Sequence, residues 1–262
     1  AHAIPNEFWK YLIDRARTRN PEVLFIAEAH GGENKSLVTK GGFDAIYGYG
    51  SYDLLKRVFS YGEDANNLDN LMTVQSHQSY IPAELRGKIM RFAENHDELR
   101  IPYFKANPSH DRATGFGSAQ AGKPVSAVLY TLGTGPILML NGQEVGEQAA
   151  GTEGFDDREG HSTIFDYWSM PELRKWVNNH AYDGGQLSQS QKDLRAFYGR
   201  LMNLLQTEAI SEGQFYGLNW LNNGRADYGK KDLYAYLRYT PKETLLVIAN
   251  FSTSKSYAID LT

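Results

Sequence analysis

The pattern of apolar and polar positions changes period near Gln206. Before that point, short apolar runs alternate with stretches at helical spacing. Phe8, Trp9, Leu12, Ile13 and Ala16 recur every three to four residues, with Lys10, Asp14, Arg15 and Arg17 between them, and predict an amphipathic helix. Pro5 suits its first position, Asn6 and Glu7 suit its first turn, and Pro21 follows its expected end near Arg19 and Asn20. Further helices are expected over Ser36–Lys40, Ser51–Ser60, Pro124–Leu132 and Ser190–Leu205. In the last of these, Leu194, Phe197, Tyr198, Leu201 and Leu204 share one face. Four largely apolar runs, Val23–Ala27, Phe43–Tyr47, Ile89–Ala93 and Ile137–Leu140, read as buried strands. Strands alternating with helices predict an α/β class fold with a parallel sheet or barrel. After Gln206, Gly213–Leu218, Asp232–Tyr239, Thr244–Asn250 and Ser256–Leu261 alternate apolar with polar residues, with turn residues between. They predict a small antiparallel β module, so the chain divides into residues 1–206 and 207–262.

Two of the buried runs end abruptly in ionisable residues. Val23–Ala27 runs into Glu28, Ala29 and His30, and Ile89–Ala93 into Glu94, Asn95, His96 and Asp97. A parallel strand whose body is buried and whose C-terminal tip is polar carries chemistry at that tip. The carboxylates of Glu28 and Asp97 therefore form the first candidate pair. The bland reading is that Glu28 ends a strand in an ordinary loop, and that Asn95, His96 and Asp97 make a turn, for which all three are suited. Long polar loops are expected over Ile101–Lys123 and Gly146–Ser162, and loops of that length at strand tips are commonly functional.

Composition narrows the chemistry. The 262 residues carry a formal charge of −4 without a basic stripe, which argues against nucleic acid as a partner. No apolar run approaches the ~18 residues of a membrane span, so no membrane partner is expected. The chain has no cysteine, which excludes disulfides and thiolate metal sites. Its 17 Tyr, 12 Phe and 4 Trp permit sugar stacking, although most such rings belong in a core. Ala1-His2-Ala3-Ile4-Pro5 is neither a signal peptide nor an initiator-Met start and reads as internal sequence.

Taken together and in order, several motifs resemble the α-amylase family of retaining glycoside hydrolases, which is built on a TIM barrel. Phe25-Ile26-Ala27-Glu28 looks like that family's strand 5, with the general acid. Phe92-Ala93-Glu94-Asn95-His96-Asp97 looks like strand 7, with the transition-state carboxylate. The stretch from Gly135 to Glu144 looks like strand 8, and Thr163-Ile164-Phe165-Asp166-Tyr167-Trp168 resembles the segment that follows it. The tail resembles the family's C-terminal β-sandwich. Ala1-His2-Ala3 looks like the end of the strand-4 motif, whose nucleophilic Asp would lie just before residue 1. The resemblance thus implies the second half of a (β/α)8 barrel followed by a small antiparallel β-sandwich, a fragment of a longer protein that is inactive alone.

It also implies roles. Retaining glycosidases place two carboxylates about 5–5.5 Å apart across the scissile bond. Glu28 would be the acid/base, and Asp97 would bind sugar hydroxyls and favour the oxocarbenium-like transition state. His96 and His2 would donate hydrogen bonds to the same sugar, with Asn95 beside them, and His30 would line an acceptor subsite. Arg100 would either hold Asp97 or be a surface charge. Tyr47 and Tyr49 would be core or sugar-stacking rings, and Gln143 and Glu144 structural. No metal ligands are assigned: Asp156-Asp157-Arg158-Glu159 lacks the spacing of a calcium loop, and any calcium of a longer parent would be held mostly upstream. The expected substrate is an α-glucan such as starch, glycogen or a maltooligosaccharide. The alternatives are a maltosyltransferase-like transglycosylase, a non-catalytic glucan-binding fragment, or a structural fragment that self-associates through open sheet edges. The expected partner is the missing N-terminal half of the barrel.

Overall fold

The computed structural model describes residues 1, 3–30, 34–71, 83–104, 115–150, 160–162 and 169–262. The expected strand–helix alternation is present. Helix α1 (Asn6–Arg17) leads to β1 (Ile26–Ala27), α2 (Asn34–Thr39), β2 (Ala45–Tyr47), α3 (Tyr49–Tyr61), β3 (Ile89–Phe92), α4 (Gly122–Thr131) and β4 (Ile137–Leu138). Glu7 in the first turn of α1 and Arg15 and Arg17 in its last complement the helix dipole. Its inward face buries Ile13 among Ala27, Leu37, Phe43 and Ile46.

The four strands pair in parallel in the order β1-β2-β3-β4, with Ile26 opposite Ala45, Ile46 opposite Ile89 and Arg91 opposite Ile137. Sequence neighbours are thus spatial neighbours throughout. A doubly wound sheet reverses its strand order at a switch point, whereas a barrel advances one strand at a time. This sheet advances. Gly135 lets β4 come close to β3, since a Cβ there would lie 2.4 Å from the Ile89 carbonyl oxygen.

The strands are shorter than the apolar runs that predict them. Val23–Phe25 stays outside β1 because the Asp44 carboxylate takes the Phe25 N–H at 2.8 Å while itself held by Arg17 Nη2 at 2.7 and 2.8 Å. Burial on both faces also fails at the sheet's margins: Leu24, Ile26 and Met139 are exposed. Each of the two outer strands pairs with one neighbour among the described residues.

After α5 (Pro171–Val177), α6 (Gln189–Leu204) and α7 (Glu208–Ser211), the tail forms β5 (Gln214–Gly217), α8 (Asn219–Asn222), β6 (Leu233–Tyr239) and β7 (Thr244–Asn250). Helix α5 was not foreseen, and α6 buries Leu194, Tyr198 and Leu201 as the spacing predicts. The three tail strands make one antiparallel sheet ordered β5-β6-β7. A sandwich needs two sheets, and among the described residues the tail has one. The expected strand over 256–261 is absent, because side chains rather than a ladder hold that segment. The Tyr257 hydroxyl and Lys255 reach Asp232, and Asn222 pairs with the backbone N–H and carbonyl of Thr262.

Among the described residues, the inner face of this sheet packs on α4 rather than on a second sheet. Tyr234, Tyr236 and Ala249 share one core with Val125, Val128, Leu129, Phe92 and Tyr198. The Thr131 and Tyr236 hydroxyls are 2.5 Å apart. The buried Arg238 guanidinium donates to the carbonyl oxygens of Thr131, Leu132, Ile210 and Gly213, so one side chain caps the C-terminal ends of α4 and α7.

Candidate active site

Glu28 follows β1 directly and Asp97 follows β3 by five residues, so both stand at C-terminal ends of parallel strands. The loop that carries Asp97 is built by its own side chains. Glu94, fully buried, accepts from Arg100 Nη1 at 2.6 Å and from the Ile101 N–H at 2.6 Å. This clasps the two ends of the loop together. Inside it, Asn95 Oδ1 accepts from the N–H groups of Asp97 and Glu98, both at 2.9 Å, which is the local turn chemistry of asparagine. Asn95 Nδ2 donates to the Tyr49 hydroxyl at 3.3 Å.

His96 stands between the two carboxylates. Its Nε2 lies 3.1 Å from Glu28 Oε1 and 3.5 Å from Asp97 Oδ2, with side chains 32% (His96), 44% (Glu28) and 48% (Asp97) exposed. One oxygen of Glu28, one oxygen of Asp97 and a ring nitrogen of His96 all fall within 4.8 Å of one another. The three are brought together from two strands with β2 between them, and they face solvent. The N-terminal amine of Ala1 donates to the Glu28 carbonyl at 2.8 Å, and His161 Nε2 is 3.2 Å from the Asp97 carbonyl oxygen.

An aromatic wall backs this triad. His30 stacks on Tyr49 at 3.6 Å between ring centroids, Tyr49 lies 5.9 Å from Tyr47, and Phe92 lies against both. Burial pushes the Tyr47 hydroxyl up, and the charges of Glu28 and Asp97 push it further. The Tyr49 hydroxyl is also raised, first by burial, against the Asn95 hydrogen bond and with Asp97 and Glu28 adding. Both phenols therefore feel the same two carboxylates.

His96, Asn95 and His30 accordingly gather with Glu28 and Asp97; His2 lies outside the described residues, as do Asp156–Glu159 and 163–168. Arg100 is not a surface charge, and it holds Asp97 indirectly, by closing the loop on which Asp97 stands. It is buried, pairs with Glu94, and reaches Ser162 Oγ at 2.5 Å and the Asn141 carbonyl at 2.7 Å. Gln143 is structural as expected: its amide donates to the hydroxyls of Tyr130, Tyr198 and Ser126. Tyr49 is buried in the core, as one of its two expected roles has it, and it also joins His30 to Asn95. Its only sequence signal is a tyrosine placed just past a strand end.

The arrangement offers two carboxylates and an imidazole at the C-terminal end of a parallel sheet beside stacked rings. It can donate and accept protons and hydrogen-bond the hydroxyl groups of a ligand. The sequence matches no protein-family model, and no curated protein matches it. Solved structures do match. A maltogenic α-amylase from Thermotoga neapolitana aligns over 95% of this chain and 46% of its own, with 18% identity and a TM-score of 0.59. The fold matches part of an α-amylase structure. The cyclic α-maltosyl-(1→6)-maltose hydrolase of Arthrobacter globiformis aligns over 94% of this chain and 46% of its own, with 18% identity and a TM-score of 0.62. An acarbose-bound α-amylase from Geobacillus thermoleovorans gives 95%, 46%, 15% and 0.54 for the same quantities. The chain thus spans about half the length of the α-amylase-type structures it matches.

Proposed function

We propose that this chain supplies the acid/base side of a retaining α-glucan-active site of the α-amylase type. Glu28 protonates the leaving glycosidic oxygen and then activates the acceptor. Asp97 and His96 hold hydroxyls of the distorted sugar, Asn95 fixes the loop that presents them, and His30 lines the acceptor side against Tyr49. The observation that carries this reading is the convergence of Glu28, His96 and Asp97 from two strand ends. The nucleophilic carboxylate comes from the part of the barrel that a four-stranded arc does not provide, since closure takes about eight strands. Solved structures that this chain resembles hold maltose and acarbose, which fits an α-glucan.

The test has two steps. Intact mass under native and denaturing conditions establishes which polypeptides are present, and reducing-sugar release from a linear α-1,4-glucan is then measured on each species. Turnover is expected only in a species larger than 29.5 kDa. There Glu28→Gln and Asp97→Asn should each lower kcat by about a hundredfold or more. Full activity in both variants would overturn the assignment.

A further inference from the structure

The spacing of the triad carries a second consequence. A tetrahedral zinc ion with ligand bonds of about 2.0–2.2 Å has ligand–ligand edges of roughly 3.3–3.6 Å. Of the two edges from His96 Nε2, the 3.5 Å to Asp97 Oδ2 lies in that range and the 3.1 Å to Glu28 Oε1 falls just short of it, and the third is at most 4.8 Å. We propose that Glu28, His96 and Asp97 bind a divalent transition-metal ion of the zinc class, and that the ion excludes sugar from the same site.

Four observations support this. The donor set is one imidazole nitrogen and two carboxylate oxygens, which suits zinc-class ions, whereas calcium wants six to eight oxygens. Three protein ligands with side chains one-third to one-half exposed leave a fourth position open to water, the pattern of an accessible zinc site. Two of the ligands are consecutive on a loop already held by Asn95 and by the Glu94–Arg100 pair, so little ordering remains to be done on binding. The third, Glu28, follows a strand directly and its own carbonyl is tied to the Ala1 amine. An ion held by all three occupies the lone pairs that Glu28 and Asp97 would offer to a proton or a hydroxyl. The competition with sugar rests on the functional reading above; the metal binding rests on geometry alone.

Calorimetric titration of the chain with zinc chloride, near neutral pH in a non-chelating buffer, tests the site directly. One saturable event per chain is expected. His96→Gln and Asp97→Asn should each weaken it by about tenfold or more, while His180→Gln, on an exposed residue far from the triad in sequence, should leave it unchanged. Circular dichroism confirms that each variant is folded. No saturable binding, or binding untouched by both triad variants, would overturn the proposal. A parallel titration with maltotriose separates the two readings. Mutual displacement of zinc and maltotriose supports both. Zinc binding that maltotriose never displaces keeps the metal site and counts against the sugar site. Maltotriose binding without zinc binding removes the metal proposal alone.

Discussion

Glu94 and Arg100 do for the site what neither His96 nor Asp97 can do alone. Their ion pair, at 2.6 Å and almost without solvent contact, closes the loop on which both residues stand. Removing one partner of a buried pair leaves the other charged and unpaired, at a cost of about 3–5 kcal/mol. Glu94→Leu should therefore lower the urea midpoint sharply. Glu94→Leu with Arg100→Met should lower it less than Glu94→Leu alone, because no charge is then stranded; an equal or larger loss would mean the pair is not the cause. The sequence shows why this was hard to read. Glu28, Asn95, His96 and Asp97 announce themselves as polar residues at the tips of apolar runs. Arg100 does not, because its partner is six residues back and the pairing exists only once the loop has curled. Tyr49 is hidden for a similar reason: its partners His30 and Asn95 come from two other strand ends.

At the scale of elements, apolar runs and helical spacing located, among the described residues, each of the four parallel strands and most helices, but not their lengths. Strand length depends on which group takes a backbone N–H, and Asp44 takes the one at Phe25. The start of α6 is likewise set by side chains, through a Ser188–Gln191 capping box. Between the parallel-sheet part and the tail, the Tyr234 hydroxyl donates to Asp69 Oδ1 at 2.9 Å, joining β6 to the turn of 3-10 helix over Ala65–Leu71. Burial raises the Asp69 carboxyl above its ordinary 3.8 although that hydrogen bond opposes the shift. With the folded value above the unfolded one, the fold binds more protons than the unfolded chain between the two. Its stability from this group therefore rises as pH falls through that window and is lost as pH climbs out of it. Asp69→Asn should flatten that part of the stability–pH curve. Denaturant midpoints across the acidic range check this, and a parallel, merely displaced curve would refute it.

For the whole molecule, the outward side of the tail sheet matters most. Tyr216, Leu237 and Leu246 face the same way in register across β5, β6 and β7, with Ile248 two residues along, and Tyr216, Leu246 and Ile248 are exposed. Contiguous apolar surface of this kind associates. Sedimentation velocity should show concentration-dependent dimerisation, and Leu246→Lys with Ile248→Lys should reduce it. A single species of 29.5 kDa at every concentration would show the face to be inert. A change of period near Gln206 made the tail look like a separate module. Its Tyr234, Tyr236 and Ala249 share one hydrophobic core with Val125, Val128 and Leu129 of α4. Periodicity records how each element presents its faces, and it cannot record which elements those faces meet.

Arg238 turns that shared core into a constraint on engineering. One guanidinium, carried by the tail, terminates two helices that precede it. A chimera that exchanged residues 207–262 for another scaffold's tail would leave the carbonyls of Thr131 and Leu132 without their donor. The graft would have to bring an arginine at the same height on its central strand, or the recipient helix would have to be recapped. The tail is interchangeable only together with the helix it closes.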